Sequence, residues 1–203
     1  MSQPTPPTKI AIREEPAAAL AEYARVPIAF EVRERLAVET PEAGLAGLRL
    51  VPERVVPPYV KDYDADPDHN PTAWPRRFDV TSWGILTAWV GSERAGGTVV
   101  VWRAADVEML QGRDDLALLW DVRVAPAWRG HGVGAALFRA AESWATARGA
   151  RWLEVETQNV NVPACRFYAR QGCVLGAVHR FAYPDLPDET QLLWYKPLAV
   201  AAG

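Results

Sequence analysis

The run Leu118-Leu-Trp-Asp-Val-Arg-Val124, followed after Ala125-Pro-Ala-Trp128 by Arg129-Gly130-His131-Gly132-Val133-Gly134, decides the fold. The first part is an apolar strand. From Val133 onward, Val133, Leu137, Ala140 and Trp144 recur at helical spacing, so the glycine-dense turn joins a strand to a helix. Such a turn is suited to an anion. Glycines let the main chain approach a ligand without Cβ obstruction, and the first helical turn offers unpaired N–H groups and a partial positive charge. We read the amides from Arg129 through Gly130, His131, Gly132 and Val133 to Gly134 as a pyrophosphate cradle, with the Arg129 side chain adding a fixed cation. The His131 side chain reads as a solvated loop residue.

Downstream, Trp152-Leu-Glu-Val-Glu-Thr157 alternates as a second strand, and Gln158-Asn-Val-Asn161 leads into a short helix carrying Pro163, Ala164, Cys165, Phe167 and Tyr168 and closed by Gly172. Asn161 is suited to cap that helix. Helical spacing puts Asn161, Ala164 and Tyr168 on one face and turns Phe167 toward the core. The Arg-x-x-Gly-x-Gly turn followed by the Asn-x-x-Ala-x-x-Phe-Tyr helix resembles the Gcn5-related N-acetyltransferase (GNAT) superfamily.

That resemblance implies a mixed α/β, α+β fold. Its central sheet has six or seven mostly antiparallel strands, with a splayed parallel pair at the centre and helices on the flanks. It also implies acetyl-CoA as co-substrate and no metal. The pantetheine would lie along the backbone of Val122, Arg123 and Val124, with Asn161 and Ala164 also beside the coenzyme. Main-chain N–H groups near Val122 to Val124 would polarise the thioester carbonyl. Amine acetylation needs two proton handlers. Tyr168 matches the family's acid. Glu156 is the candidate base, with an offset to Tyr168 similar to that in ribosomal-protein N-acetyltransferases, and burial would raise its pKa. Glu154 shares its strand face and is a second candidate. Asp121 stands where many relatives carry Glu-Asp, but Trp120 replaces the glutamate here. Asp121 therefore reads as base, as ammonium ligand or as a satisfied strand-end carboxylate, and a relayed water is a further option.

Within the superfamily, Leu153-Glu-Val-Glu-Thr-Gln158, Ala164-Cys-Arg-Phe-Tyr-Ala169, Leu175-Gly-Ala-Val178 and Trp194-Tyr195-Lys196 resemble streptothricin acetyltransferases, with weaker echoes at Phe30-Glu-Val32 and Tyr59-Val-Lys-Asp-Tyr63. The implied reaction is direct attack of a primary amine of a small cationic acceptor on bound acetyl-CoA. Acetylation of a protein N-terminus or a polyamine is the alternative enzyme reading. A catalytically idle coenzyme A sensor is the reading from another class. A homodimer is among the assemblies the resemblance allows.

Composition is consistent with this and narrows it. The chain has 203 residues, 49% of them hydrophobic, enough for one sizeable core. A net charge of -3 with scattered basic residues argues against nucleic acid as a partner. No apolar run approaches a membrane span, and residues 1–8 lack the regions of a signal peptide, so the expectation is a cytoplasmic protein without membrane contact. The two cysteines, Cys165 and Cys173, show no metal spacing and read as buried thiols.

We expect a tail and short helix over 1–27, one acetyltransferase domain over 28–198, and a C-terminal tail over 199–203. Strands are expected at 28–38, 83–90, 99–104, 174–183 and 191–196, with a turn around 94–97. Residues 41–75 read as a long irregular region rich in proline. Its aspartates at 62, 64, 66 and 68, and a second cluster of Asp185, Asp188 and Glu189, are candidates for acidic rims around an acceptor. Trp74 and Trp120 are candidates for covering an ammonium group by cation–π contact.

Overall fold

Alternation along three central strands separates two apolar layers. In a computed structural model that describes residues 9–199, Val99 and Val101 join one buried cluster while Val100 joins another, and Leu116 and Leu118 are likewise separated from Ala117 and Leu119. The sequence reading of the two tails at 1–8 and 200–203 lies outside the described residues.

The elements in chain order are strand β1 (Ile10–Glu15), helix α1 (Leu20–Tyr23), strands β2 (Phe30–Glu39) and β3 (Arg49–Lys61), helix α2 (Trp74–Arg77), strands β4 (Gly84–Val90), β5 (Glu93–Trp102) and β6 (Leu116–Val124), helix α3 (Val133–Ala147), strand β7 (Trp152–Gln158), helix α4 (Val162–Arg170), and strands β8 (Val174–His179) and β9 (Gln191–Pro197). Seven strands form one sheet in the order β1-β4-β5-β6-β7-β9-β8, and β2 and β3 form a separate hairpin. Every pairing is antiparallel except β6 with β7. This is the expected mixed sheet with a parallel central pair.

Helices α3 and α4 cover one face through Phe138, Ala141, Trp144, Cys165 and Tyr168. The other face is covered by Leu20 and Tyr23 of α1, Trp74 of α2, and Val80 and Trp83. Among the described residues, no helix is long and apolar enough to cross a membrane. Both cysteines are free and buried. Burial pushes the Cys165 thiol up to about 12 and the Cys173 thiol up to about 11.

Four stretches differ from the sequence reading, and one is the strand expected at 174–183, which ends at His179. Residues 10–15, placed before the domain, form β1 and pair with β4 in register Ile10↔Val90 to Glu15↔Ile85. Long-range contacts explain this: Trp144 of α3 donates to Glu14 at 2.9 Å, tying β1 to the helix layer. Residues 41–75 are not wholly irregular, because β3 occupies 49–61. Its prolines are tolerated because β3 pairs with β2 alone, and Pro57 and Pro58 fall where the register shifts between Val32 and Glu34. The turn expected at 94–97 lies instead at Gly91, where φ is 60°. Gly96 and Gly97 are inside β5, where they admit close neighbours. A Cβ on Gly97 would overlap the ring of the fully buried Tyr23, and one on Gly96 would overlap the Arg123 carbonyl.

Replacing Gly97 by Ala should therefore overpack this contact and destabilise the fold by about 1–3 kcal/mol, read as a lower denaturant midpoint with unchanged slope. An unchanged midpoint would show that Tyr23 can move aside without loss.

Candidate active site

The parallel ladder between β6 and β7 is short. It runs through Leu116↔Trp152, Ala117↔Leu153 and Leu118↔Glu154, and beyond that point the strands part. A local irregularity in β6 accompanies the parting. Val99 faces Asp121 and Val100 faces Leu119, so Trp120 is an extra residue bulged out of the ladder with β5. The bulge also changes parity. Leu118 and Trp120 pack toward the layer containing Tyr23, and Asp121 and Arg123 then point to that same side.

A cleft of about 850 Å³ opens at the parting and is lined by residues 118–124 of β6 and 155–158 of β7. At one end lies the glycine turn. Gly130 and Gly132 have φ of 79° and 84°, a conformation that favours glycine, and a Cβ at either would meet no protein atom within 4 Å. Among the described residues, the N–H groups of Gly130, Gly132, Val133 and Gly134 have no main-chain acceptor; the first to find one inside the helix is Ala136, bonded to Gly132. Free donors at a helix start beside an open strand edge suit a diphosphate attached to an extended amide chain, which is the chemistry of coenzyme A.

The Arg129 side chain has partners that the sequence reading did not give it. Arg129 donates to the carbonyls of Val124 and Ala29, each at 3.1 Å, and to Pro27 at 3.4 Å. It thus lashes the turn to the end of β6 and to the segment before β2. Val133 is fully buried against Ala88, Ala95 and Leu137, so only its main chain faces the turn. His131 is exposed, its Nδ1 2.9 Å from the Arg129 carbonyl oxygen.

Arg123 and Asp121 form a buried ion cluster. The Arg123 side chain is 1% exposed and pairs with Asp121 at 2.8 Å and Asp64 at 2.9 Å, with a further bond to the Val26 carbonyl at 3.1 Å. Tyr23 donates its hydroxyl to the other Asp121 oxygen. Burial alone would lower the Arg123 pKa, but the Asp121 carboxylate outweighs it and drives it up. Among the three readings of Asp121, the satisfied carboxylate describes what its oxygens do.

Tyr168 is 4% exposed, lines the cleft and has no hydrogen-bond partner among the described residues. Burial raises its phenol pKa well above the ordinary value, so it stays protonated at neutral pH. Asn161 caps α4 by accepting from the Ala164 N–H at 3.2 Å, and its amide nitrogen lies 3.5 Å from the Tyr63 hydroxyl. Glu156 lines the cleft and accepts a hydrogen bond from Tyr183. Glu154, 1% exposed, is not among the residues that line the cleft. Burial raises its pKa, opposed by its bond with Tyr195, and one of its oxygens has no partner.

The opposite wall comes from distant parts of the chain. Phe30, Tyr63, Asp68 and His69 line it, with Trp74, Phe78 and Trp120 as an aromatic block. The Trp120 ring lies 5.2 Å from Phe78 and 6.1 Å from Trp74, both edge-on, and Trp74 is 3% exposed. The aspartate run divides its work. Asp62 and Asp66 accept from the N–H groups of Asp64 and Asp68, Asp64 meets Arg123, and Asp68 reaches the cleft. Asp185, Asp188 and Glu189 line a separate cavity of about 430 Å³ with Arg35 and Tyr59, so that cluster does not rim the main cleft. Sequence reasoning missed Tyr63 and Gln158 as cleft residues and Tyr183 as a partner of Glu156. Tyr63 and Tyr183 lie in proline- and aspartate-rich loops without periodicity, and only the fold brings them to Glu156. Among the described residues, no group of three His, Cys, Asp or Glu could hold a metal ion.

Residues 51–173 match the acetyltransferase (GNAT) family. This chain belongs to that family and is an acetyl-CoA-dependent N-acetyltransferase. A streptothricin acetyltransferase of Escherichia coli is 32% identical over 169 residues, 82% of this chain and 84% of the relative. The crystal structure of a nourseothricin acetyltransferase superposes with a TM-score of 0.73 at 26% identity, covering 94% of this chain and 99% of that one. A Bacillus anthracis (str. Ames) protein solved in complex with acetyl coenzyme A has the same fold, with a TM-score of 0.71 at 24% identity over 95% of this chain and 99% of that one.

Replacing Arg123 by Met would leave Asp121 and Asp64 without their cation in a buried setting. We expect a loss of about 3–5 kcal/mol in chemical denaturation. A loss under about 1 kcal/mol would mean that the cluster is open to water.

Proposed function

We propose that this enzyme acetylates a primary amine of a small, cationic, streptothricin-like acceptor by direct transfer within a ternary complex. One observation carries the reading: a protonated phenol, Tyr168, and a carboxylate, Glu156, line the same cleft where β6 and β7 part. The coenzyme supplies its acetyl group as an activated thioester. In this reading the Gly130, Gly132, Val133 and Gly134 amides hold the diphosphate, with the Arg129 and His131 main chain beside them. The main chain of Val122, Arg123 and Val124 borders the pantetheine, and Asn161 and Ala164 set the start of α4 against it.

Glu156 takes the proton of the acceptor ammonium, freeing its lone pair for attack on the carbonyl carbon. The C–N bond forms, the C–S bond breaks, and Tyr168 gives its proton to the departing sulfur; the second proton of the attacking nitrogen then leaves the new amide and restores the Tyr168 phenol, while Glu156 releases the first to solvent. Asp121 is committed to Tyr23 and Arg123, so the base role falls to Glu156. The acceptor class is supported by Asp68 and by the Trp120 ring on the opposite wall, which suit a cation on an apolar stem, while the Phe78 ring is taken by the Arg77 guanidinium at 5.3 Å. It is supported also by likeness to the Escherichia coli streptothricin acetyltransferase. An antibiotic-inactivating role follows from that acceptor.

Substituting Tyr168 by Phe should lower kcat about 10²-fold or more while calorimetry shows coenzyme A bound as before. A variant with full turnover would remove Tyr168 from the chemistry, and a wild-type protein with coenzyme binding but no turnover would mark a sensor. Thiol release measured over streptothricin, aminoglycosides, polyamines and peptides should show selective turnover of streptothricin. Preference for peptides or polyamines would overturn the acceptor assigned here.

A further inference from the structure

The loop between β8 and β9 reaches two cleft residues, Glu156 and Gln158, through one side chain. Tyr183 donates its hydroxyl to Glu156 Oε1 and accepts a hydrogen bond from Gln158 Nε2 at 3.2 Å. Gln158 Oε1 in turn accepts from the Tyr63 hydroxyl, which lies 3.5 Å from Asn161 Nδ2. Donor and acceptor roles are consistent along the whole chain: Asn161 gives to Tyr63, Tyr63 to Gln158, Gln158 to Tyr183, and Tyr183 to Glu156. Both neighbours of the Gln158 amide are hydroxyls, which either donate or accept, so the ends set the direction: Asn161 spends its Oδ1 on the Ala164 N–H and turns Nδ2 to Tyr63, and the Glu156 carboxylate only accepts.

We propose that Tyr183 is a positioning residue for the acetyl-transfer reaction, holding the Glu156 carboxylate in its ionised form with Oε1 occupied and Oε2 free to receive the proton of the acceptor amine. This inference rests on the reading of Glu156 as base. A donor to the charged form of a carboxylate favours that form, and an occupied Oε1 directs protonation to the other oxygen. Burial and then the Glu156 charge hold the Tyr183 phenol above its ordinary pKa, so it remains a donor throughout the working range. The other titratable groups around Glu156 are Glu154 on its own strand, Tyr63 from the segment after β3, and Asp121 and Tyr168 across the cleft. None of them donates to Glu156 among the described residues. Tyr183 is the group whose removal changes its hydrogen bonding.

The test is the pH profile of kcat/KM for the amine that turns over fastest, streptothricin being the expected one, in wild type, Y183F, Q158L and E156Q. A base acts when deprotonated, and losing a donor to its anion raises its pKa. The acidic limb of Y183F should therefore move to higher pH by about one unit, with KM for acetyl-CoA unchanged. Q158L, which removes the bond into the Tyr183 hydroxyl, should move it the same way by less. It also carries the test if Y183F does not fold. A limb that stays in place in a folded Y183F, or a shift matched by an equal rise in KM for acetyl-CoA, overturns the proposal. E156Q separates this from the reading beneath it. If E156Q abolishes the limb while Y183F leaves it, only the role of Tyr183 fails; if E156Q keeps the wild-type limb, Glu156 is not the base and both fall.

Discussion

The active cleft depends on a parallel strand pair that is held together at one end only. Three residue pairs join β6 to β7, and then the bulge at Trp120 lets β6 turn away. Sheet edges are usually closed because unpaired N–H and C=O groups invite other partners. Here the open edges lie inside the molecule, flanked by α3 and α4 on one face and by α1 and α2 on the other, so what enters must be slender and rich in amides. The bulge does a second job through parity. A one-residue insertion flips every side chain beyond it, and this flip sends Asp121 and Arg123 toward Tyr23 instead of the α3 layer.

That redirected pair organises the acceptor wall. Arg123 reaches Asp64 in the segment after β3 and the Val26 carbonyl before β2, while Asp121 takes the hydroxyl of α1. Two segments far from β6 in sequence, residues 23–26 and the stretch after β3, are thereby pinned to that strand. Removing one ion from such a cluster costs much more than an exposed pair would, because the remaining charges stay out of water. In the proposed reading the two sides of the cleft thus share one strand, whose main chain would border the coenzyme and whose side chains brace the opposite wall.

How legible each part was in the sequence follows from the range of the contacts that make it. The glycine turn, the Asn161 cap and the strand-helix order around them are local, and their residue types alone indicate what the backbone does there. The parallel pair and the likeness to N-acetyltransferases followed from those same residues. Strand β1 was hidden because its burial pattern is nearly all exposed, and its place in the sheet depends on β4 and Trp144. Strand β3 was masked by prolines that are harmless on an edge. Gly96 and Gly97 were read as a turn, yet they are needed for the close approach of Tyr23 and the Arg123 carbonyl. Arg129 was read as a cation for the cradle because two of its three carbonyl partners, Pro27 and Ala29, lie about a hundred residues away. In each case the missing fact was a neighbour distant in sequence, and the bulge at Trp120, which reassigns Asp121, leaves no trace in residue type.

This division has a consequence for how such a cleft can change its acceptor. The coenzyme side is made mostly of main-chain donors, so side-chain substitutions there chiefly disturb the φ values at Gly130 and Gly132. In the proposed reading the acceptor side is made of side chains from β2, the segment after β3 and the end of α2, away from the glycine turn. Substitutions at Phe30, Asp68, His69 or Phe78 can therefore alter the shape and charge seen by the amine without loosening the turn. Tyr63, Gln158 and Tyr183 are different, because their hydrogen bonds run into Glu156 and back to the cap of α4. On the reading proposed above, acceptor choice and proton transfer are separable on one wall and coupled through this series on the other.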